Sequence, residues 1–394
     1  MTLTHVPHSA VDLFDDELLQ DPYPTYRELR DLGPAVHLDR LDAWALPRYD
    51  EVRAALGDWR TYSSSGLALS DPVNEMFVGT ILAADPPEHD TLRSVLADRL
   101  GPRAVRGLQA DITARADALV EEVLDRGAFD AVTDLAAAFP LAVVFDLIGL
   151  PDEARPEMLR WADATFNVFG PMNARTVDSL AVVQELFGWV ATLRAEDLTE
   201  GSMGRAVFEA ADQGRIRHES CIPLIVAYAA AGMDTTINAI ANAVHLFAEH
   251  PDQWDLVRAD PALLPGAFNE VLRHDAPVQV FGRRTTRVVE LDGTTLPEGA
   301  QLLLLFGSGN RDERHYPDPD RFDVTRAPLD HLAFGYGTHG CAGQALARLE
   351  GHAVLSALAR RVHRFHIGTP HRHLNNSVRG FDSLPVTGVD RTPA

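Results

Sequence analysis

Lysine is absent from all 394 residues, so each of the 35 fixed side-chain cations is an arginine. Base composition explains that as readily as function does, and it excludes nothing about the fold. Cysteine is nearly absent. Two residues, Cys221 and Cys341, are too few for a disulfide framework and fit a reducing, cytoplasmic setting. Cations are heavily outnumbered. A formal charge of −22 disfavours nucleic acid, whose phosphates would repel such a chain. Long apolar runs are missing too. The longest, LAAAFPLAVVFDLIGL, is broken by Pro140 and Asp146, is too short for a bilayer, and reads as a buried helix. The opening MTLTHVPHSAVDLFDDELLQ has neither the basic nor the apolar region of a signal peptide, so neither secretion nor a membrane anchor is expected.

The remaining composition is that of an ordinary globular chain, 46% hydrophobic and 23% charged. At this length it can bury a large core and still enclose a ligand. No repeat, low-complexity linker or composition shift divides it, so one domain over residues 1–394 is expected. Most of the chain shows helical spacing. AVRGLQADITARADALVEEVLDRG predicts a helix that stops at Gly127. CIPLIVAYAAAGMDTTINAIANAVHLFAEH predicts a long central buried helix, and GQALARLEGHAVLSALARRV a third, just after Cys341. Strand signals are few. PAVHLD with DAWALPR predicts a hairpin, and RVVELDGTTLPEGAQLLLLFG has turns at Asp292-Gly293 and Pro297–Gly299. The expectation is a mainly α fold with small β-sheets at one side.

Cys341 stands in FGYGTHGCAG, at the start of a helix. An isolated cysteine there would read as a core residue. The whole frame, seven specified positions in ten, suits a thiolate presented to a large flat ligand. A helix N-terminus favours the thiolate. Gly340, Ala342 and Gly343 let backbone N–H groups approach the sulfur, and Gly335 and Gly337 let the loop turn tightly. Phe334 can shield the sulfur, and His339 can face an acidic edge of the ligand.

This stretch resembles the haem-binding loop of the cytochromes P-450, the haem-thiolate monooxygenases. The resemblance implies haem b (iron-protoporphyrin IX) with Cys341 as its iron ligand, and Phe334, His339 and Gly343 around it. Further segments resemble the family in its order along the chain. In GAFNEVLRHDAPV, Glu270 and Arg273 match its buried ion pair, with Arg321 of PDPDRF as the third member. In ADPPEHDTLRSVL, His89 and Arg93 match the residues that reach the haem propionates. Arg283 of VFGRRTT and His339 match the remaining propionate partners, with Arg284 the rival of Arg283. The resemblance spans almost the whole chain.

The middle of the long helix, AYAAAGMDTTINAI, breaks the rules of a buried helix with Gly232, Asp234, Thr235 and Thr236. Ala230, Ala231 and Gly232 would let it pass close over a flat macrocycle. A threonine that does not bond back to its own helix would leave the backbone open to water. AGMDTT resembles the family's oxygen-activating signature, which makes Asp234 and Thr235 the catalytic pair that brings protons to dioxygen.

By the same resemblance the chain is a monooxygenase using O2 and two electrons. The electrons come from NAD(P)H through a flavin-dependent reductase and an iron–sulfur ferredoxin. Arg99, Arg103, Arg106 and Arg348 are candidate docking cations, and a monomer is expected. FNVFGPMN, VFGRRTT and RGFDSLPV look most like a bacterial branch that oxidises para-substituted benzoates and O-demethylates methoxybenzoates. Phe166, Phe169 and Phe281 would wall a small aromatic substrate, with Ala231 above it. Where that branch places donors for the substrate carboxylate, Met76, Gly79, Ala227 and Tyr228 stand here. A neutral or phenolic aromatic ether is therefore expected, with Tyr228 as its one hydrogen-bond partner. A peroxide-driven peroxygenase and a secondary-metabolite tailoring hydroxylase are the alternatives.

Overall fold

The computed structural model describes residues 6–392. Seven helices build the site: α1 (Glu88–Leu100), α2 (Pro102–Asp125), α3 (Ala138–Ile148), α4 (Met158–Asn167), α5 (Cys221–Glu249), α6 (Leu264–His274) and α7 (Gln344–Arg361). The three helices read from apolar periodicity are α2, α5 and α7. α2 runs to Asp125, and Gly127 follows with a positive φ of 83°. α5 runs unbroken to Glu249 and ends where His250 precedes Pro251, whose neighbour disfavours helix.

α5 is the axis of the fold. It packs against α3, α4, α6 and α7, and α7 in turn lies along α2. Its Met233, Ile240, Ala241 and Ala243 are fully buried in the main core. By length and composition, Ala131–Ile148 and His218–Glu249 could each cross a membrane, contrary to the expectation from the interrupted runs; 61% of each window is buried inside the protein. A soluble core helix passes the same test.

The strands, in chain order, are β1 (His8–Ser9), β2 (Val36–Leu38), β3 (Ala43–Leu46), β4 (Tyr62–Ser63), β5 (Val280–Thr285) and β6 (Gln301–Leu305). They form one sheet in the order β1-β2-β3-β6-β5-β4. The expected hairpin is β2–β3, with His37 opposite Trp44. β5 pairs antiparallel with β6, setting Val280 opposite Leu305 and Arg283 opposite Leu302. This places VFGRRT in the sheet, between β6 and the edge strand β4, where the sequence showed no alternation. A second hairpin, β7 (His371–Leu374) with β8 (Arg379–Ser383), was also invisible in the pattern, and it packs on α5. The fold is mainly helical with small sheets.

Candidate active site

Cys341 comes out of a tight loop. Its N–H donates to Phe334 O at 2.8 Å, which folds residues 334–341 into a closed turn. Gly337 has φ +69°, and a Cβ there would come within 2.6 Å of Leu56 O, so the loop admits only glycine at that point. Burial pushes the Cys341 thiol above its usual range. The N–H groups of Gly343 and Gln344 and the charges of Arg93 and Arg348 pull the other way. A metal ion would tip that balance, since a coordinated thiol is deprotonated outright.

Behind the loop lies a buried ion pair. Arg273 donates to both oxygens of Glu270 at 2.7 and 2.8 Å, and neither side chain has exposed area. Arg273 also donates to the carbonyls of Asn310 and Pro319, and Asn310 Oδ1 accepts from Leu332 N at 2.6 Å. The pair therefore braces the chain that leads into the cysteine loop. Its third member is Arg326, not the expected Arg321. Arg326 Nε donates to Glu270 Oε1 at 3.3 Å. The Arg321 side chain is 65% exposed and faces Asp323, and only its backbone carbonyl joins the network. The chain turns between Asp323 and Arg326, whose N–H donates to Asp323 O, and this returns residue 326, rather than 321, to the buried carboxylate.

A large cavity lies between this loop and α5, with about 1870 Å³ of space including its open mouth. Cys341, Ala342 and Gly343 line its floor and Ala230, Ala231, Gly232 and Thr235 its ceiling. At one edge stand His89, Arg93, Arg283 and His339. The two imidazoles are 4.3 Å apart, and the Nε2 atom of each is buried with no partner. Arg283 is 4% exposed and donates only to its own neighbour, Gly282 O. Burial lowers it to about 10, and it lowers His339 to about 2, with Arg283, His89 and Arg93 adding to the second effect. Two guanidiniums and two imidazoles whose Nε2 atoms lack partners suit an anion at this edge. Arg284, the rival of Arg283, points outward and pairs with Asp71 at 2.5 Å. Alternation along β5 decides between them.

A thiol below, small residues above and an anion-seeking edge fit an iron porphyrin with two propionates. Cys341 would ligate the iron. Arg93, Arg283, His89 and His339 would hold the carboxylates.

The ceiling departs from expectation in one respect. Thr235 Oγ1 donates to Ala231 O at 2.9 Å and Thr236 Oγ1 to Gly232 O at 3.4 Å, so both hydroxyls bond back to α5. The helix is closed at this turn because the i−4 carbonyl is the nearest acceptor. Asp234 does not line the cavity. Its Oδ2 is buried and unpartnered, and burial raises its carboxyl to about 7.

Phe166 and Phe169 converge with Phe281 above the porphyrin space, at ring separations of 6.3, 6.4 and 6.0 Å. Phe77 packs on Phe169 at 5.1 Å and Phe187 on Phe77 at 6.0 Å, two walls that sequence reasoning missed. Of the four residues expected where a carboxylate would sit, Ala227 and Tyr228 line the cavity and Met76 and Gly79 do not. Phe77 and Thr80 take their place, because the helical turn before them puts residues 77 and 80 inward. Thr80 donates to Phe77 O and Thr165 to Trp161 O. The Tyr228 phenol has no protein partner among the described residues, and burial raises it.

On the far side of Cys341 a second concavity is lined by Arg93, Arg106, Arg348, Gln109 and His352. Two of the four expected docking arginines are there. Arg99 donates instead to Gly201 O, and Arg103 is exposed outside the hollow. Arg348 lies over the Phe334 ring at 4.5 Å, so the charge and the sulfur's cover are one unit.

Thiolate loop, helical ceiling and braced ion pair define the haem-thiolate oxygenases. A family model, Cytochrome P450, matches residues 195–381. The chain belongs to the cytochrome P450 family: it is 42% identical over 388 residues to cytochrome p450 CYP199A2 of Rhodopseudomonas palustris, covering 97% of this chain and 94% of that one. It is similar also to 6-deoxyerythronolide B hydroxylase of Saccharopolyspora erythraea, 32% identical over 98% of this chain and 99% of the relative. Among solved structures, CalO2 superposes with a TM-score of 0.85 at 31% identity, covering 98% of this chain and 99% of that one. As a cytochrome P450 the chain is a monooxygenase that uses haem and dioxygen.

Proposed function

We propose that the enzyme oxidises a small, uncharged or phenolic aromatic ether, by O-demethylation or ring hydroxylation. The observation that carries this is the convergence of Phe166, Phe169 and Phe281 in a cavity whose cationic groups, among the described residues, all stand at the propionate edge. Flat rings pack well against such walls. A benzoate carboxylate would be buried there without a donor of matching charge, which is costly. Tyr228 is the uncommitted hydroxyl that can orient an ether or phenol oxygen.

Bound haem supplies the activation of dioxygen, one atom going to the substrate and the other, with two electrons and two protons, to water. The protein does the rest. The phenylalanines hold the ring and exclude water. Asp234 holds a proton at a carboxyl poised near neutrality, and Thr235 passes it into the cavity when its hydroxyl swings off Ala231 O. Hydroxylation at a methoxy carbon yields a hemiacetal, which collapses to a phenol and formaldehyde.

The electrons come from NAD(P)H through a flavin-dependent reductase and an iron–sulfur ferredoxin. The hollow with Arg93, Arg106 and Arg348, behind Cys341, suits an acidic donor. Two unpaired cysteines fit a cytoplasmic monomer.

Titration with paired methoxybenzoates and neutral methoxyaromatics, followed by the Soret shift, tests the substrate class. Neutral ethers should give the tighter spin-state change. A benzoate binding tighter than its neutral analogue would overturn the reading.

A further inference from the structure

Asp234 does not line the cavity, and the charges that act on it stand on α4 and the β7–β8 hairpin. One turn along the same face of α5 stands Asn238. Asp234 Oδ2 and Asn238 Nδ2 are both buried without partners, two polar atoms on residues one helical turn apart. An ordered water satisfies such a pair. The hairpin backbone closes over this point. A Cβ on Gly380 would fall 1.8 Å from Asn238 Oδ1, so β8 lies directly on the helix.

Three charged groups meet there from three elements. Asp163 comes from α4, His373 from β7 and Asp382 from β8. His373 Nε2 lies 2.6 Å from Asp163 Oδ1, and its Nδ1 lies 2.6 Å from Asp382 Oδ1. Asn375 Nδ2 donates to Asp163 Oδ1, also at 2.6 Å. Asp382 is 62% exposed and Asp163 33%, with His373 between them at 24%. Both ring nitrogens face carboxylates, so the imidazole is doubly protonated and its pKa is raised to about 10. Beyond burial, the charges that act on Asp234 are those of Asp163, which raises it, and His373, which lowers it. His371 is the further charge on Asp382.

We propose that Asp163, clamped by His373 and Asn375, is the solvent-side station through which Asp234 is reloaded with protons, and that His373 is the positioning residue of that station. The inference rests on the reading of Asp234 as the acid of the reaction. In each turnover Asp234 gives its proton toward Thr235. It regains one through the water at Asn238 from Asp163, and Asp163 regains one from bulk solvent. No charge accumulates. His373 remains cationic throughout; it fixes Asp163 and offsets the charge of that carboxylate, which would otherwise push Asp234 further up.

The two charges act on Asp234 in opposite directions, which a purely structural clamp would not reproduce. In the haem-loaded enzyme, the carboxyl band of Asp234 is followed by infrared titration and assigned by its loss in Asp234→Asn. Its midpoint should lie near 7, rise in His373→Gln and fall in Asp163→Asn. Peroxide released per electron consumed should increase several-fold in Asp163→Asn, and Asp163→Glu should restore coupling in part. Midpoints equal in all three proteins, with coupling unchanged in Asp163→Asn, would overturn the proposal. If Asp234→Asn itself leaves coupling intact, the acid assignment fails and this inference with it. If Asp234→Asn uncouples and the other two match wild type at every pH, only the relay falls. Asp382→Asn, at an exposed position, keeps the test open should the inner variants fail to fold. It should lower the imidazole titration of His373, read by nuclear magnetic resonance, and a wild-type ring titrating at its ordinary value would refute the clamp.

Discussion

Asp234 and Glu350 are carboxyls buried without full partners, and burial raises them to about 7 and about 8. The consequences differ. For Asp234 the shift places a proton donor at working pH. Coupling of electrons to product should decline as the pH rises above about 7, and Asp234→Asn should remove that limb. Thr235→Ala should release peroxide in place of product with little change in the substrate-induced Soret shift, since the hydroxyl serves the proton and not the binding. Unchanged coupling would count against the pair. Glu350 is 1% exposed, lines the cavity beneath the porphyrin space, and its Oε1 has no partner. Its neutral form is the stable one. Its contribution is complete below the ordinary value of 4.5 and is lost as the pH rises through about 8. Glu350→Gln should therefore stabilise the fold at pH 8–9 by about 5 kcal/mol at most, read as a higher melting temperature, and leave the melting temperature unchanged near pH 4. Equal melting shifts at both pH values would contradict the charge argument.

At the level of elements, the loop that carries Cys341 depends on α6. The Glu270–Arg273 pair holds carbonyls at 310 and 319, and through Asn310 it holds the start of the cysteine turn. Breaking a buried pair by removing one member costs about 3–5 kcal/mol, so Arg273→Ala should lose haem retention along with stability. Arg326→Ala should weaken haem binding measurably, because it removes a 3.3 Å partner of the buried Glu270. Arg321→Ala should stay within about 0.5 kcal/mol, as an exposed side chain away from such features does. Haem affinity and urea midpoints of the two variants distinguish them, and the reverse order would restore Arg321 to the network. The element that decides the propionate edge is β5. Its alternation turns Arg283 in and Arg284 out, although the two residues are identical and adjacent.

Over the whole molecule, a chain of charge −22 keeps Arg93, Arg106 and Arg348 together in the hollow behind the sulfur. An acidic donor would be steered there against an otherwise repulsive surface. Rates supported by ferredoxin should fall as ionic strength rises from about 0.01 to 0.15 M, where the Debye length shrinks from roughly 30 to 8 Å. Arg106→Ala should flatten that dependence, and a rate insensitive to salt in the wild type would argue against docking at this face.

The sequence alone determined the parts whose chemistry is local. Apolar periodicity marked α2, α5 and α7 almost to the residue. The glycines and histidine around Cys341 announced the thiolate loop, because a tight turn and a bare helix start need small residues wherever they occur. Asp234 stood out because an acid in an apolar helix demands a reason. Only the tertiary structure decided what depends on residues distant in the chain. It chose Arg326 over Arg321 and Arg283 over Arg284, and it set Phe77 and Thr80 where Met76 and Gly79 were expected. It bonded Thr235 back to its own helix, and it brought Asp163 and Asp382 onto the two ring nitrogens of His373. Charge and hydroxyl groups are alike in sequence wherever they stand; burial, strand alternation and the nearest available partner assign their roles, and these exist only once the chain has closed on itself.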